Sequence, residues 1–525
     1  MASIVRLNAQ RLSDRLDAIY YYPLFLENED RLKSSSIKIS HLKNIVKEGR
    51  RSIYFSTETL EIDDAPNNWI PFLTADDFGE NGFFVNLNSR RRVSPKFAEQ
   101  YPKGQLRGNE LLVKVKGPNQ ITAYNEMPPE NRVLVSGTIW GALVKKEQVD
   151  PHYLVSVLSC PYAVIARSRL RTNLNVEFLA PDDLLNIELP IPEIREAQNY
   201  IGDKVRLAER LRERSREREA EAKKLFEDAI SWEKQLEYKR NHAYVSVDDL
   251  EQRLDLNFNS PNRLSLIQYF RNSQIILEFL DNITEISAMI GWKGLTTEHY
   301  TDKGPWLLRG IEFSNGVIDF DSLISIKQYK YDEQPQIHLK QGDIAFTKDG
   351  TIGKAIVIPL LSNSLAAGST VARLRLCSEH KINKYYLEYV LNHPVVQIQV
   401  FSFATGMAQP HITQEWIARL QIPRCKVEQE IGNKIHFHHE ALVESGNLTT
   451  AAKLLVEALI EGKITEEELE TAQQALQKGD REPDKAILSR LTRKGIDIKG
   501  EPPLFPDLDA LYEIIDQITK DTEEE

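Results

Sequence analysis

Polar and basic side chains gather on two short blocks in the second half of the chain. The block GDIAFTKDGTIGKAIVIP (342–359) reads as strand, Gly-rich turn, strand, with Asp349-Gly350 as a hairpin turn and Gly353 permitting close backbone approach. Thr347, Lys348, Thr351 and Lys354 in this block can donate to phosphate oxygens or base edges; the plain alternative is a hairpin without a ligand. GTIGKA is not a nucleotide phosphate loop. It lacks the GxxxxGK[ST] spacing, Ala355 replaces the hydroxyl, and a strand follows where a helix is needed. The block FATGMAQPHIT (403–413) adds Gln409 and His411 around a turn at Pro410. No second His, Cys or carboxylate stands at ligand spacing from His411, so no metal is predicted there. His436, His438 and His439 lack an HExxH arrangement and read as the polar face of a helix.

Basic residues supply the remaining candidates for phosphate contact. In the first half these are Arg90, Arg91, Arg92, Lys114, Lys116, Arg167, Arg169 and Arg171. The three arginines of ARSRLRT (166–172) alternate, so a strand there would face all three one way. In the second half they are Lys340, Lys348, Lys354, Arg373 and Arg375, the last two alternating in STVARLRL (369–376). Net charge is −11, but residues 461–525 hold 18 acidic and 9 basic side chains, so most of the acidity belongs to the C-terminal stretch. Segment 86–116 is locally basic, with eight basic and two acidic residues. Whole-chain charge is therefore a poor guide to binding.

These candidates sit on a repeat. Glu110–Gly117 (ELLVKVKG) aligns with Asp343–Gly350 (DIAFTKDG) at an offset of 233 residues. DPHYLVSVLSCP (150–161) aligns with NKYYLEYVLNHP (383–394) at the same offset, as does PDDLLNIELPIP (181–192) with QEWIARLQIPRC (414–425). Tyr153 matches Tyr386 and Pro190 matches Pro423. A period this long indicates two copies of one domain, not a solenoid. Each copy reads as mixed helix followed by short strands (69–145 and 306–376), an amphipathic helix (151–159 and 384–392) and a closing strand, an α+β pattern. Pro-free helical sequence follows each copy, at 193–240 and 426–462, with a break expected at Gly446-Asn447. The fold expected is α+β. It comprises two tandem domains (1–192 and 246–425), a long spacer helix (193–245), a second helix (426–462) pairing with it as an antiparallel, pseudo-twofold coiled coil, and an acidic, mainly helical extension (463–525).

The chain has 525 residues, 41% hydrophobic and 27% charged, enough for several cores. It has no long apolar run and no signal-peptide core, and its three cysteines, Cys160, Cys377 and Cys425, are scattered, so a reducing cytoplasm and no membrane are expected. The sequence carries no methyltransferase tetrapeptide, Gly-rich cofactor loop, Walker sequence, nuclease carboxylate constellation or Gly-x-Ser-x-Gly elbow. No catalytic residue, metal or cofactor is predicted.

GDIAFTKDGTIGK, TGMAQPHIT and QIPRCKVEQEIGNKI, in that order, resemble the target-recognition domain and trailing helix of specificity subunits from type I restriction–modification systems. The first copy keeps the LPIP exit and the REAQ helix start (189–198) but has Lys116-Gly117 for Asp349-Gly350 and TNLNVEFL for TGMAQPHI. The resemblance covers about 1–460. It implies a non-catalytic reader of double-stranded DNA, one half of a bipartite site per domain. It also implies that the helices dock two methyltransferase subunits and that a restriction–translocase subunit joins later. Two other readings compete: a protein adaptor with little direct DNA readout, and a minimal nuclease or nucleotide-modifying enzyme.

Overall fold

The computed structural model describes residues 12, 15, 17–52, 59–61, 65–74, 77–78, 91–117, 121–126, 132–172, 176–232, 236, 253–289, 295–313, 316–406 and 409–524. Arg90 and most of the helical expectation beyond 232 lie outside these residues. The chain forms two compact units, one of residues 1–212 with 444–525 and one of residues 213–443.

In the first unit, β1 (Ile39–His41) pairs antiparallel with β10 (Glu188–Pro190). A four-stranded antiparallel sheet runs in the order β2 (Val46–Arg51), β9 (Ile139–Val144), β6 (Glu110–Lys114), β7 (Thr122–Asn125). A second sheet runs β3 (Leu60–Glu61), β5 (Arg91–Val93), β4 (Ile70–Leu73), β8 (Leu134–Val135), with β4 and β8 parallel. Leu112, Ala123 and Ile139 pack with Leu73, Leu106 and Val135 in one core.

The second unit has its own sheets. β11 (Ile276–Phe279) pairs antiparallel with β20 (Gln421–Arg424). One sheet runs β12 (Thr284–Ala288), β19 (Val371–Leu376), β16 (Ile344–Thr347), β17 (Ala355–Val357). The other runs β14 (Ile324–Ile326), β13 (Tyr300–Leu308), β18 (Leu365–Ala367), β15 (His338–Leu339), with β13 and β18 parallel. Period-two alternation divides β16 between two cores. Ile344 and Phe346 join the helix-covered core, while Ala345 joins the core under β13 and β18. The order β12-β19-β16-β17 repeats β2-β9-β6-β7, and β14-β13-β18 repeats β5-β4-β8.

Helices follow the same order in both units: Pro151–Ser159 and Lys384–Asn392, then Pro161–Leu170 and Pro394–Phe403, then Pro181–Leu185 and Gln414–Ala418. Asp150 and Asn383 cap the first of each, accepting the backbone N–H groups of the residues two and three positions on. The matched tyrosines are buried, and each hydroxyl donates to the carbonyl of the matched proline, Tyr153 to Pro190 at 2.8 Å and Tyr386 to Pro423 at 2.6 Å.

One long helix covers Arg195–Ile230 and ends at Ser231, whose φ is +53°; at about 1.5 Å per residue it is roughly 54 Å long. The second covers Glu428–Ile460 without the break expected at Gly446-Asn447. Packing overrides the weak local propensity there: Ser445 is fully buried and its hydroxyl donates to the Ala208 carbonyl at 2.9 Å. Within the second unit Ser215 meets His438 at 2.8 Å and Glu221 meets Lys434 at 2.6 Å, so rising numbers on one helix meet falling numbers on the other. His438 and His439 are therefore packing residues and not a solvated face; His439 also pairs with Glu388 at 2.8 Å. His436 remains partly exposed and stacks on Tyr385.

Residues 463–525 fold onto the first unit through helices Glu466–Gln477, Glu482–Leu488 and Leu508–Glu524 and the hairpin β21 (Leu491–Thr492), β22 (Gly495–Ile496). Glu457, on the second long helix, has its carboxyl pushed up to about 7 by burial and by Glu461 beside it. A carboxyl raised from 4.5 binds its proton more tightly in the folded state, so its contribution to stability falls as pH rises from about 4.5 to about 7. Glu457→Gln is expected to stabilise the protein by about 1 kcal/mol at pH 8, after discounting for partial exposure, and to leave it unchanged at pH 4. Urea unfolding at both pH values checks this; equal effects at the two would refute the assignment.

Candidate nucleic-acid interface

The two sequence blocks of the second unit meet at one loop cluster. The 348–354 loop leaves β16, and residues 404–413 connect helix Pro394–Phe403 to helix Gln414–Ala418. Gly350 N–H donates to the Pro410 carbonyl at 3.0 Å and Ile412 N–H to the Lys348 carbonyl at 2.9 Å. Thr405 and His411 exchange backbone hydrogen bonds at 2.8 Å each. Gly353 is required here. Its φ is +88°, and a Cβ would stand 2.6 Å from the Gln397 amide that holds its carbonyl.

Side chains in the cluster divide by exposure. Thr347 is 1% exposed, and its hydroxyl accepts the Lys354 N–H at 2.9 Å. It closes the turn, which corrects its assignment as a donor to a ligand. Lys348 is committed to Asp349 at 2.6 Å, and Asp349 also pairs with His411 Nδ1. That pair fixes the His411 ring while leaving its side chain 40% exposed. Thr351, Lys354, Thr405 and Gln409 are exposed. Among the described residues Lys354 makes no ion pair. The cluster thus offers a cation, a hydroxyl, an amide and an anchored imidazole beside one another. That set can contact phosphate and hydrogen-bond base edges.

The first unit builds the same backbone junction 233 residues earlier. Lys116 and Thr172 each bridge to Phe178, as Asp349 and Thr405 each bridge to His411. Gly117 N–H donates to the Glu177 carbonyl at 2.9 Å and Leu179 N–H to the Val115 carbonyl at 2.9 Å. Chemistry at the junction differs. The Asp349–His411 pair is replaced by Lys116 and Phe178, and the Arg51 guanidinium lies 4.9 Å over the Phe178 ring. Residues 118–120 and 173–175 lie outside the described residues.

The arginines of 166–172 do not lie on a strand. Pro161 opens a helix that runs to Leu170, and two residues along a helix turn by about 200°, so the three side chains diverge. Arg167 is 1% exposed and donates to Thr122 Oγ1 at 3.0 Å and the Leu158 carbonyl at 2.6 Å; burial lowers its pKa. Arg169 holds Glu29 at 2.7 Å and the Tyr20 carbonyl at 2.9 Å. Arg171 caps the helix and bonds the Gly117 carbonyl at 2.9 Å and Glu177. All three hold the fold together, and Arg167 has no surface to offer a ligand.

The other basic candidates are dispersed. Arg91 and Arg92 lie half-buried on β5, Arg91 donating to Thr74 Oγ1 at 2.8 Å. Lys114 and Lys116 are half-buried beside the first junction. Arg373 and Arg375 alternate on β19 as the sequence suggests, yet Arg373 is only 6% exposed and bonds Ser287 at 3.3 Å. Burial lowers the Arg373 pKa, while Arg375 clasps the buried Asp343 through two bonds of 2.7 Å. Lys340 is exposed. Asp349 and Thr405 were missed as site residues, although both stand inside the quoted blocks, because a turn residue and a hydroxyl carry no signal until the two blocks are brought together.

No family model matches the chain, and no curated protein matches it. Among solved structures, it is similar to the S subunit of a type I restriction-modification system from M. genitalium, with 11% identity, 82% of this chain and 96% of that chain covered, and a TM-score of 0.42. It is also similar to the HsdS subunit from Thermoanaerobacter tengcongensis, with 13% identity, coverage of 81% and 97%, and a TM-score of 0.25. A structure of a type I R-M system solved for its complex assembly and conformational transition gives 13% identity, coverage of 81% and 98%, and a TM-score of 0.27. The chain is thus similar to type I restriction–modification S subunits over most of its length.

Proposed function

We propose that the chain is a non-catalytic DNA sequence-specificity subunit of a type I restriction–modification complex. Each unit contains one target-recognition domain, 1–192 in the first and 246–425 in the second, that reads one half of a bipartite site in double-stranded DNA. The paired long helices act as the antiparallel spacer and dock two methyltransferase subunits, with a restriction–translocase subunit joining the assembly in the cytoplasm. The observation that carries this reading is the loop junction built twice at an offset of 233 residues, with the same backbone hydrogen bonds and different side chains. One scaffold carrying two different polar surfaces suits the reading of two different short sequences. Linking two readers on one chain raises affinity through effective concentration.

Candidate DNA contacts in the second unit are Lys340, Thr351, Lys354, Gln409 and His411; those in the first are Arg90, Arg91, Arg92, Lys114 and Lys116. The adaptor reading draws on the acidic residues of 463–525, which fold onto the first unit. Mapping methylated bases in a strain that carries the chain with its partner methyltransferase tests the proposal. Two short specified segments separated by a fixed unspecified spacer are expected. Methylation at a single continuous motif, or without sequence preference, would overturn it.

A further inference from the structure

Three residues far apart in the sequence of the first unit meet in one place. Glu126 follows β7, His152 is the second residue of helix Pro151–Ser159, and Glu209 lies on the long helix Arg195–Ile230. His152 Nε2 stands 3.2 Å from Glu209 Oε2 and 3.9 Å from Glu126 Oε2, and one ligand atom from each residue lies within 4.8 Å of the others. The imidazole side chain is 2% exposed. Its Nδ1 is buried with no hydrogen-bond partner among the described residues, and Nε2, within hydrogen-bond distance of Glu209, is the nitrogen that faces the two carboxylates.

The His152 backbone is held at both its N–H and its carbonyl, and one ring packs on the imidazole. Asp150 Oδ1 accepts the His152 N–H at 3.0 Å, the Ser156 hydroxyl donates to the His152 carbonyl at 2.9 Å, and the Tyr124 ring lies edge-on at 5.3 Å. Arg206 pairs with Asp150, so this nearby cation is already neutralised by another carboxylate. An imidazole nitrogen and two carboxylates converge where one side chain is buried and another partly so, with Arg212 a further cation acting on Glu209, and such a donor set suits a divalent cation.

We propose that Glu126, His152 and Glu209 bind one zinc ion, with a fourth position open to water beside the exposed Glu126. The spacing fits the metal. Zinc bonds of about 2.0–2.2 Å in tetrahedral geometry place neighbouring ligand atoms about 3.3–3.6 Å apart, against separations of 3.2 and 3.9 Å from the imidazole and within 4.8 Å overall. One nitrogen with two carboxylate oxygens is a donor set zinc accepts. The ion would tie the end of β7, the helix start and the long helix together within the first unit. This inference stands independently of the proposed DNA reading.

The test uses the full chain, stripped with a chelator and dialysed against buffered free zinc at about 1 μM. Elemental analysis is expected to return about one zinc per chain. Glu126→Gln alters a side chain that is 54% exposed, so folding is preserved, and it is expected to weaken zinc binding at least about tenfold. His152→Asn is expected to abolish it. Fewer than about 0.2 zinc per chain in the unaltered protein would overturn the proposal. One zinc retained with undiminished affinity in Glu126→Gln would overturn it equally, by placing the ion elsewhere. Should His152→Asn fail to fold, the Glu126→Gln result decides alone.

Discussion

Gln409→Ala is expected to relax base preference in one half of the recognition site while leaving the other half unchanged. The amide is exposed on a loop whose backbone is locked to the 348–354 turn, so its removal deletes hydrogen-bonding groups without disturbing a core. A side chain that bonds a base edge in two places contributes about 1–3 kcal/mol of discrimination, which is roughly 5- to 150-fold between right and wrong bases. Lys354→Ala is expected to behave differently. A phosphate contact carries no sequence information, so the variant should weaken binding to all sequences alike and reduce the slope of log affinity against log salt by about one. The assembled complex, titrated with duplexes altered in one half-site at a time and at several salt concentrations, separates the two effects. If both variants weaken binding without changing either preference, the cluster serves affinity alone and base readout lies elsewhere.

Asp484→Ala is expected to release the C-terminal extension from the first unit. Asp484 is 2% exposed, and its Oδ1 accepts the Tyr200 hydroxyl and the Lys204 ammonium, each at 2.5 Å, while Oδ2 accepts the Tyr512 hydroxyl. Burial alone would raise this carboxyl, but Lys204 and the two hydroxyls hold it below its usual range. Its contribution to stability is therefore present above the unfolded value near 3.8 and is lost as pH falls through the lower folded value. Removing the carboxylate leaves Lys204, itself 5% exposed, as an uncompensated buried charge, at a cost of about 3–5 kcal/mol. Rapid proteolysis of 463–525 and loss of amide protection across Glu482–Leu488 are expected. Lys204→Met combined with Asp484→Leu should recover only part of the loss, because it removes the stranded charge but leaves the Tyr200 and Tyr512 hydroxyls without their acceptor. Unchanged protection of the extension in Asp484→Ala would show that apolar packing docks it and that the ion pair is incidental.

The matched blocks are legible in the sequence because local rules specify them. Tyr153/Tyr386 and Pro190/Pro423 align by simple offset, and each tyrosine bonds the carbonyl of its proline. Gly117 and Gly350, both at positive φ, mark the two equivalent turns. Strand apolarity, helix caps and turn glycines act over a few residues, so a linear reading captures them. Roles assigned by residue type alone fared worse. The arginines at 167, 169 and 171 read as one basic face only if the backbone is extended, and Pro161 with the core demand at Tyr162, Ala163 and Arg167 makes it a helix. Thr347 reads as a donor until its burial shows it closing a turn.

The sequence by itself shows three matched blocks at a 233-residue offset, the mixed helix and strand character and the two blocks 342–359 and 403–413. Tertiary structure alone decided which polar groups are spent on the fold and which remain exposed: Lys354 and Gln409 on the surface, Arg167 and Arg373 inside. It alone decided that an acidic extension is anchored by a buried Asp484, and that Glu126, His152 and Glu209 meet across gaps of 26 and 57 residues. The physical reason is range. Backbone preference is set by neighbours in the chain, whereas desolvation, ion pairing and ligand geometry depend on distances in space that folding creates.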